Sequence, residues 1–150
     1  PPDLVVFGKK MLTGGYYMKE RYIPKEPYRI MNTWLGEPTK IMLLEGVIDT
    51  IMDEKLLEQV EKTGKVLQSG LKKIQSKSIN KLSSVRGLGT FCAFDCNSQE
   101  ERNTLLQEMH NLGYFIAGCG NKSIRFRPSL TCEEKHVNLF LESLKSVIQQ

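Results

Sequence analysis

Histidine and tryptophan are nearly missing from this chain: His110, His136 and Trp34 are all it has in 150 residues. With so few imidazoles, a metal site would have to come from the four cysteines. Cys92 and Cys96 are separated by three residues, wider than the tight pair of a zinc ribbon, and Cys119 and Cys132 stand alone. No metal is expected. Disulfides are not needed either. A chain of this length with 40% hydrophobic residues builds a core without them, so four reduced thiols are expected. No apolar run approaches the roughly 20 residues that span a bilayer, and the opening residues do not read as a signal peptide. Long runs of one charge are absent as well. The net charge of +4 is spread through Lys9-Lys10, Lys72-Lys73 and the Arg125-Phe-Arg127 segment. That pattern argues against a nucleic-acid-binding tail, so neither nucleic acid nor membrane is an expected partner.

What is present is an ordered series of helix and strand patterns. Leu4 to Phe7 is a short β-branched run, read as a buried strand that ends in a loop rich in glycine and lysine. Such runs without alternation are typical of parallel strands covered on both faces. The segment from Tyr16 to Pro38 holds Pro24, Pro27 and Pro38 and is read as irregular, with room for one short strand. Apolar residues at helix spacing then run from Thr39 to Lys77, with Pro38 at the start and Asp53 as the expected cap that divides them into two helices. Ser84 to Cys96 reads as one strand with a bend at Gly87 and Gly89. Ser98 to Leu112 reads as a helix opened by a Ser98–Glu101 capping box and closed by Gly113. Tyr114 to Ala117 and Ser123 to Arg127 read as a hairpin, and Thr131 is the expected cap of a last helix. The set predicts an α+β unit in which the first strand is an orphan. An orphan buried strand, in a chain that opens on Pro1, is expected to belong to a longer protein.

Three segments carry residues suited to chemistry. Lys9 follows the first strand, where open α/β sheets place ligands, and Gly14-Gly15 allow close backbone approach nearby. Burial of a lysine amine there would favour its neutral, nucleophilic form. By pattern alone a surface lysine in a turn is the commoner reading. Tyr28 to Gly36 (YRIMNTWLG) offers the hydroxyl of Thr33, a donor suited to a phosphate oxygen, beside Trp34, which reads equally well as a packing anchor. Arg125 and Arg127 alternate with Ile124 and Phe126 on the return strand, which puts both guanidiniums on one face. A guanidinium matches a carboxylate bidentately, although most strand arginines simply face solvent. Arg86, in Val85-Arg-Gly-Leu-Gly, receives no catalytic role, and His110 and His136 are expected to be surface or satisfied side chains.

The segments PDLVVFGKKMLTGG, NTWLG and SIRFRP, in that order and at this spacing, resemble the class-III pyridoxal-phosphate-dependent aminotransferases of fold type I. Within that family they are similar to the ω-amino branch, and specifically to its eukaryotic 4-aminobutyrate members. The resemblance covers essentially the whole chain. It implies an α/β fold in which residues 1–38 end the large cofactor domain, 39–77 form connecting helices and 78–150 form a C-terminal α+β small domain. It implies that Lys9 carries pyridoxal 5'-phosphate as an imine and shuttles the proton, with Lys10 the competing candidate. Lys9 lies seven residues after Pro2, as in the family, whereas Lys10 stands closer to Gly14-Gly15, as in several relatives. Thr33 is implied to reach the cofactor phosphate of a second subunit, hence a homodimer. Arg125 is implied to bind the α-carboxylate of glutamate or 2-oxoglutarate, and Arg127 to be structural. Met31 stands where a phenylalanine is associated with the family.

The implied reaction passes the amino group of 4-aminobutyrate to 2-oxoglutarate, giving succinic semialdehyde and glutamate, in the mitochondrial matrix. The phosphate-cradling loop, the acid under the pyridine nitrogen, a second substrate arginine and the iron–sulfur cysteines of animal members are implied to lie upstream. The chain alone is therefore expected to be inactive. The alternatives are an aminotransferase for ornithine, β-alanine or the lysine side chain, or an interaction module that keeps the small domain without the chemistry. Retention of Lys9 argues against the module.

Overall fold

A computed structural model describes residues 1–78 and 81–149, the side chain of Lys10 excepted. The chain divides into two compact units, Pro1–Lys55 and Leu56–Gln150.

In the first unit, β1 (Leu4–Phe7) pairs antiparallel with β2 (Gly15–Met18). The expected first strand is present, but it is neither parallel nor buried. It has one neighbour in the sheet, and Val6 remains 79% exposed. A strand hydrogen-bonded on one edge and covered on neither face cannot bury its side chains. Phe7 lies opposite Gly15, where a Cβ would come within 2.7 Å of the phenyl ring, and the ring packs against Tyr17 with centroids 5.7 Å apart. Asp3 ties the hairpin's open end to the following turn. Its carboxylate accepts from Lys19 Nζ and Arg21 Nη2, both at 2.7 Å.

After a turn-rich stretch comes α1 (Pro38–Asp53). Glu37 is its cap, accepting from the backbone N–H of Thr39 at 3.0 Å and Lys40 at 2.9 Å, and Pro38 sits in the first turn, where no donor is missed. The stripe Leu44, Val47, Ile51 is half-buried, and no residue of the helix is fully buried. Asp53 is the last residue of α1 rather than a cap for the next helix. The break is made by Lys55, whose φ of 51° no α-helix accommodates.

The second unit opens with α2 (Leu56–Lys77) and carries a four-stranded sheet of order β3-β4-β6-β5, all neighbours antiparallel. The stretch read as one bent strand is two: β3 (Ser83–Leu88) and β4 (Phe91–Asp95), joined through Gly89 and Thr90. Gly89 has φ +56°, so the glycine taken for a bend reverses the chain. The bulge lies earlier, between Ser83 and Arg86. Next come α3 (Gln99–Asn111), β5 (Ala117–Cys119), β6 (Ser123–Phe126) and α4 (Glu134–Ile148). Ser98 caps α3 by accepting from the N–H of Glu101 at 3.1 Å, and Gly113, at φ +87°, follows its end. β5 begins where the expected strand ended. Glu133, not Thr131, precedes α4. The Glu133 N–H donates to His136 Nδ1 at 3.0 Å, while Thr131 bonds Ser129 at 2.9 Å.

Strand alternation sorts the sheet. Cys92, Phe94, Ile124 and Phe126 face Leu67, Leu71 and Ile74 of α2, Leu105 and Met109 of α3, and Val137, Phe140 and Leu144 of α4 in one continuous core. Phe126 meets Phe140 edge-on at 5.1 Å. Gly64 allows α2 to close on the β3–β4 turn: a Cβ there would strike the backbone of Gly89, and Gln68 Nε2 donates to the Gly89 carbonyl at 2.8 Å. Among the described residues no helix is long and apolar enough to cross a membrane.

Candidate functional site

In the first unit, Lys9 stands two residues after β1, in a one-turn 3-10 helix, with its backbone at φ 57°. Its carbonyl accepts from Leu12 N–H at 2.9 Å, which closes the turn and holds Lys9 in the left-handed region. A lysine there is strained, and such strain persists only where surrounding structure fixes it. Gly8 and Gly14 flank the turn back to back: a Cβ on Gly8 would stand 3.8 Å from Gly14 Cα. The Lys9 side chain is exposed. The side chain of Lys10 lies outside the description.

Thr33 sits in a tight turn before α1. Asn32 Oδ1 accepts from Trp34 N–H at 2.9 Å, and the Asn32 carbonyl accepts from Leu35 N–H at 3.2 Å. This Asx-type turn leaves Thr33 exposed, and its hydroxyl has no hydrogen bond among the described residues. The first-turn donors of α1 are already used by Glu37, whose carboxyl is held below its ordinary value chiefly by the N–H of Lys40 and by its bonds to Thr39. Trp34 is 67% exposed and lies under Lys40 Nζ, 5.7 Å from the ring centroid, so it is not the core anchor its size suggests.

In the second unit, Arg125 lies on β6 between buried Ile124 and Phe126, so its side chain leaves the sheet on the face away from the helices. Its cross-strand neighbours are Ala93 on β4 and Ala117 on β5. Two methyl groups leave room around the guanidinium, which has no ion pair or hydrogen bond among the described residues. Beside it, Ser123 Oγ donates to Asp95 Oδ1 at 2.6 Å, and Arg86 Nη2 lies 2.9 Å from the same oxygen. Burial pushes the Asp95 carboxyl up. The bonds from Ser123 and Arg86, with the charges of Arg86 and Lys122, outweigh that and hold it below its ordinary value.

Sequence reading missed this cluster because its members come from three strands. It also missed Arg102, which is buried under β5 and donates to the Gly120 carbonyl at 2.9 Å. Gly118 leaves space for it, since a Cβ would meet the guanidinium at 2.9 Å. The signal available was a helix arginine facing a Gly-Cys-Gly turn.

The histidines are satisfied, as expected. His110 Nε2 bonds the Ile116 carbonyl at 2.9 Å, and His136 holds the start of α4. Burial raises the thiols of Cys92 and Cys96 to about 11, which leaves them protonated packing groups. A cavity of about 350 Å³ between α2 and α4, lined by Gly70, Lys73, Leu141 and Lys145 among others, contains none of the three candidate residues.

The chain matches the family model for aminotransferase class-III over residues 1–148. It is 46% identical over 148 residues to the mitochondrial 4-aminobutyrate aminotransferase of Sus scrofa, covering 99% of this chain and 30% of that protein. It is 40% identical over 150 residues to the 4-aminobutyrate aminotransferase of Dictyostelium discoideum, again 30% of that protein's length. Among solved structures, a lysine aminotransferase from M. tuberculosis superposes with a TM-score of 0.90 at 25% identity, covering 99% of this chain and 36% of that one. The chain thus spans about a third of the length of the proteins it matches.

Proposed function

The chain belongs to the class-III aminotransferase family, and from that premise we propose that it is the C-terminal portion of an enzyme that transfers the amino group of 4-aminobutyrate to 2-oxoglutarate. The observation that carries the substrate assignment is the 46% identity over 148 residues to a relative so named.

The donor set fits pyridoxal phosphate: a primary amine at a glycine-flanked turn for an aldehyde, and an uncommitted hydroxyl for a phosphate. When bound, that cofactor supplies the electron sink for the transfer. Lys9 would hold it through its amine, and the same amine would move the proton at the substrate carbon. Thr33 would donate its hydroxyl to the phosphate held by a second subunit, and the working form would then be a homodimer. Arg125 binds the α-carboxylate of glutamate or 2-oxoglutarate in the space left by Ala93 and Ala117. The mitochondrial matrix is the proposed location, supported by relatives named as mitochondrial.

The test is a comparison of amine donors with the full-length protein. With 2-oxoglutarate as acceptor, 4-aminobutyrate is expected to outpace ornithine, β-alanine and lysine. A preference for any of those would remove the substrate assignment. Arg125→Met is expected to raise KM for 2-oxoglutarate at least about tenfold, the scale of a lost charge-assisted bidentate contact.

A further inference from the structure

Arg86 and Arg125 occupy one row across the open face of the sheet, Arg86 opposite Ala93 and Ala93 opposite Arg125. The same face carries an acid, Asp95, which lies opposite Ser123. Ser123 lies two residues before Arg125 on β6, so Asp95 and Arg125 are diagonal neighbours across two strands. Diagonal partners stand about 7–8 Å apart, within reach of a long side chain. An aspartate there would be expected to capture Arg125 and cancel the charge that a substrate carboxylate needs.

It does not. Asp95 Oδ1 faces Arg86 Nη2 at 2.9 Å and accepts from Ser123 Oγ at 2.6 Å. Arg86 Nη2 also donates to Ser123 Oγ at 3.1 Å, and Nη1 donates to the Ser84 carbonyl at 2.8 Å. The Ser84 anchor exists because β3 bulges between Ser83 and Arg86, with Ser84 at φ 54°. A bulge re-aims the side chain that follows it. Here the guanidinium is carried along the sheet toward Asp95.

We propose that Arg86 is a positioning residue for Arg125: by occupying Asp95 together with Ser123, it keeps the neighbouring guanidinium free for a substrate carboxylate. The inference rests on the carboxylate-binding reading of Arg125. Arg86 touches no substrate. Its effect passes through Asp95, and so removal of Asp95 cancels it.

The experiment compares variants of the full-length enzyme by KM and kcat for 2-oxoglutarate. Arg86→Met is expected to raise KM about three- to fivefold with kcat within about twofold of the parent, as a partly exposed Asp95–Arg125 pair forms. Adding Asp95→Asn to Arg86→Met is expected to bring KM back toward the parent value. Asp95→Asn alone is expected to leave KM unchanged or lower, and it decides the matter if Arg86→Met does not fold. A merely structural role would give losses that add, with no rescue. An unchanged KM in Arg86→Met, a worse double variant, or a several-fold rise in Asp95→Asn overturns the proposal. Arg125→Met separates the two levels. If it raises KM while Arg86→Met does not, this inference alone fails. If Arg125→Met leaves KM unchanged, the carboxylate assignment falls and this inference falls with it.

Discussion

In residues 1–55 no described residue is buried, whereas in 56–150 Leu71, Phe94, Met109, Ile124 and Leu144 have no exposed area at all. Apolar content is not the difference. The first unit has Leu4, Val5 and Val6 on a strand and Ile41, Met42 and Ile48 on a helix, all at least 43% exposed. Neither the hairpin nor α1 buries these side chains within the unit. The second unit closes three helices over one sheet face and so builds a core. Two of the three candidate residues, Lys9 and Thr33, sit in the unit without a core, and Arg125 sits on the sheet of the other. In the proposed assignment, the two cofactor residues sit in tight local turns and the substrate residue on a packed scaffold.

The largest expected contrast is in stability. Phe94→Ala is expected to cost about 3–5 kcal/mol in chemical denaturation, as removal of a fully buried ring does. Trp34→Ala is expected to shift stability by less than about 0.5 kcal/mol. Equal losses at the two sites would break the comparison. Gly64→Ala sharpens it further. The added methyl meets the Gly89 backbone, not a flexible side chain, so α2 must move away from the β3–β4 turn. A loss of about 1–3 kcal/mol is expected, read from the denaturation midpoint.

The smallest effect is electrostatic. The Asp95 carboxyl is held below its ordinary value of 3.8 in the fold. Its contribution to stability is therefore complete above that value and is lost as pH falls through the lower folded value. Stability followed across that acidic window should fall less steeply in Asp95→Asn than in the parent, by about 1 kcal/mol or less. Identical slopes would mean that the Arg86–Asp95–Ser123 cluster does not hold the charge.

The sequence was most legible where a feature is local. The Ser98 cap, the Gly113 stop, the Leu4–Phe7 strand and the alternation of Ile124 and Phe126 against Arg125 are each set by residues within a few positions. Less was legible where pairing decides the outcome. Gly87 and Gly89 suggested one bent strand, because nothing in that stretch says that Phe91 turns back to lie opposite Leu88. Thr131 had the right chemistry for a cap but is engaged by Ser129, which left the start of α4 to Glu133 and His136. The family resemblance singled out Lys9, Thr33 and Arg125 as candidates. It said nothing of Asp95 or Arg102, whose roles depend on partners 9 to 28 positions away in the chain.

The central claim is that the lysine after β1 holds pyridoxal phosphate through its amine. The direct test is borohydride reduction of the full-length protein with the cofactor present, followed by mass-spectrometric mapping of the peptide that contains Lys9 and Lys10. The account predicts a pyridoxyl group on Lys9. A label on Lys10 would keep the chemistry and move it by one residue, and no label on either lysine would contradict the claim.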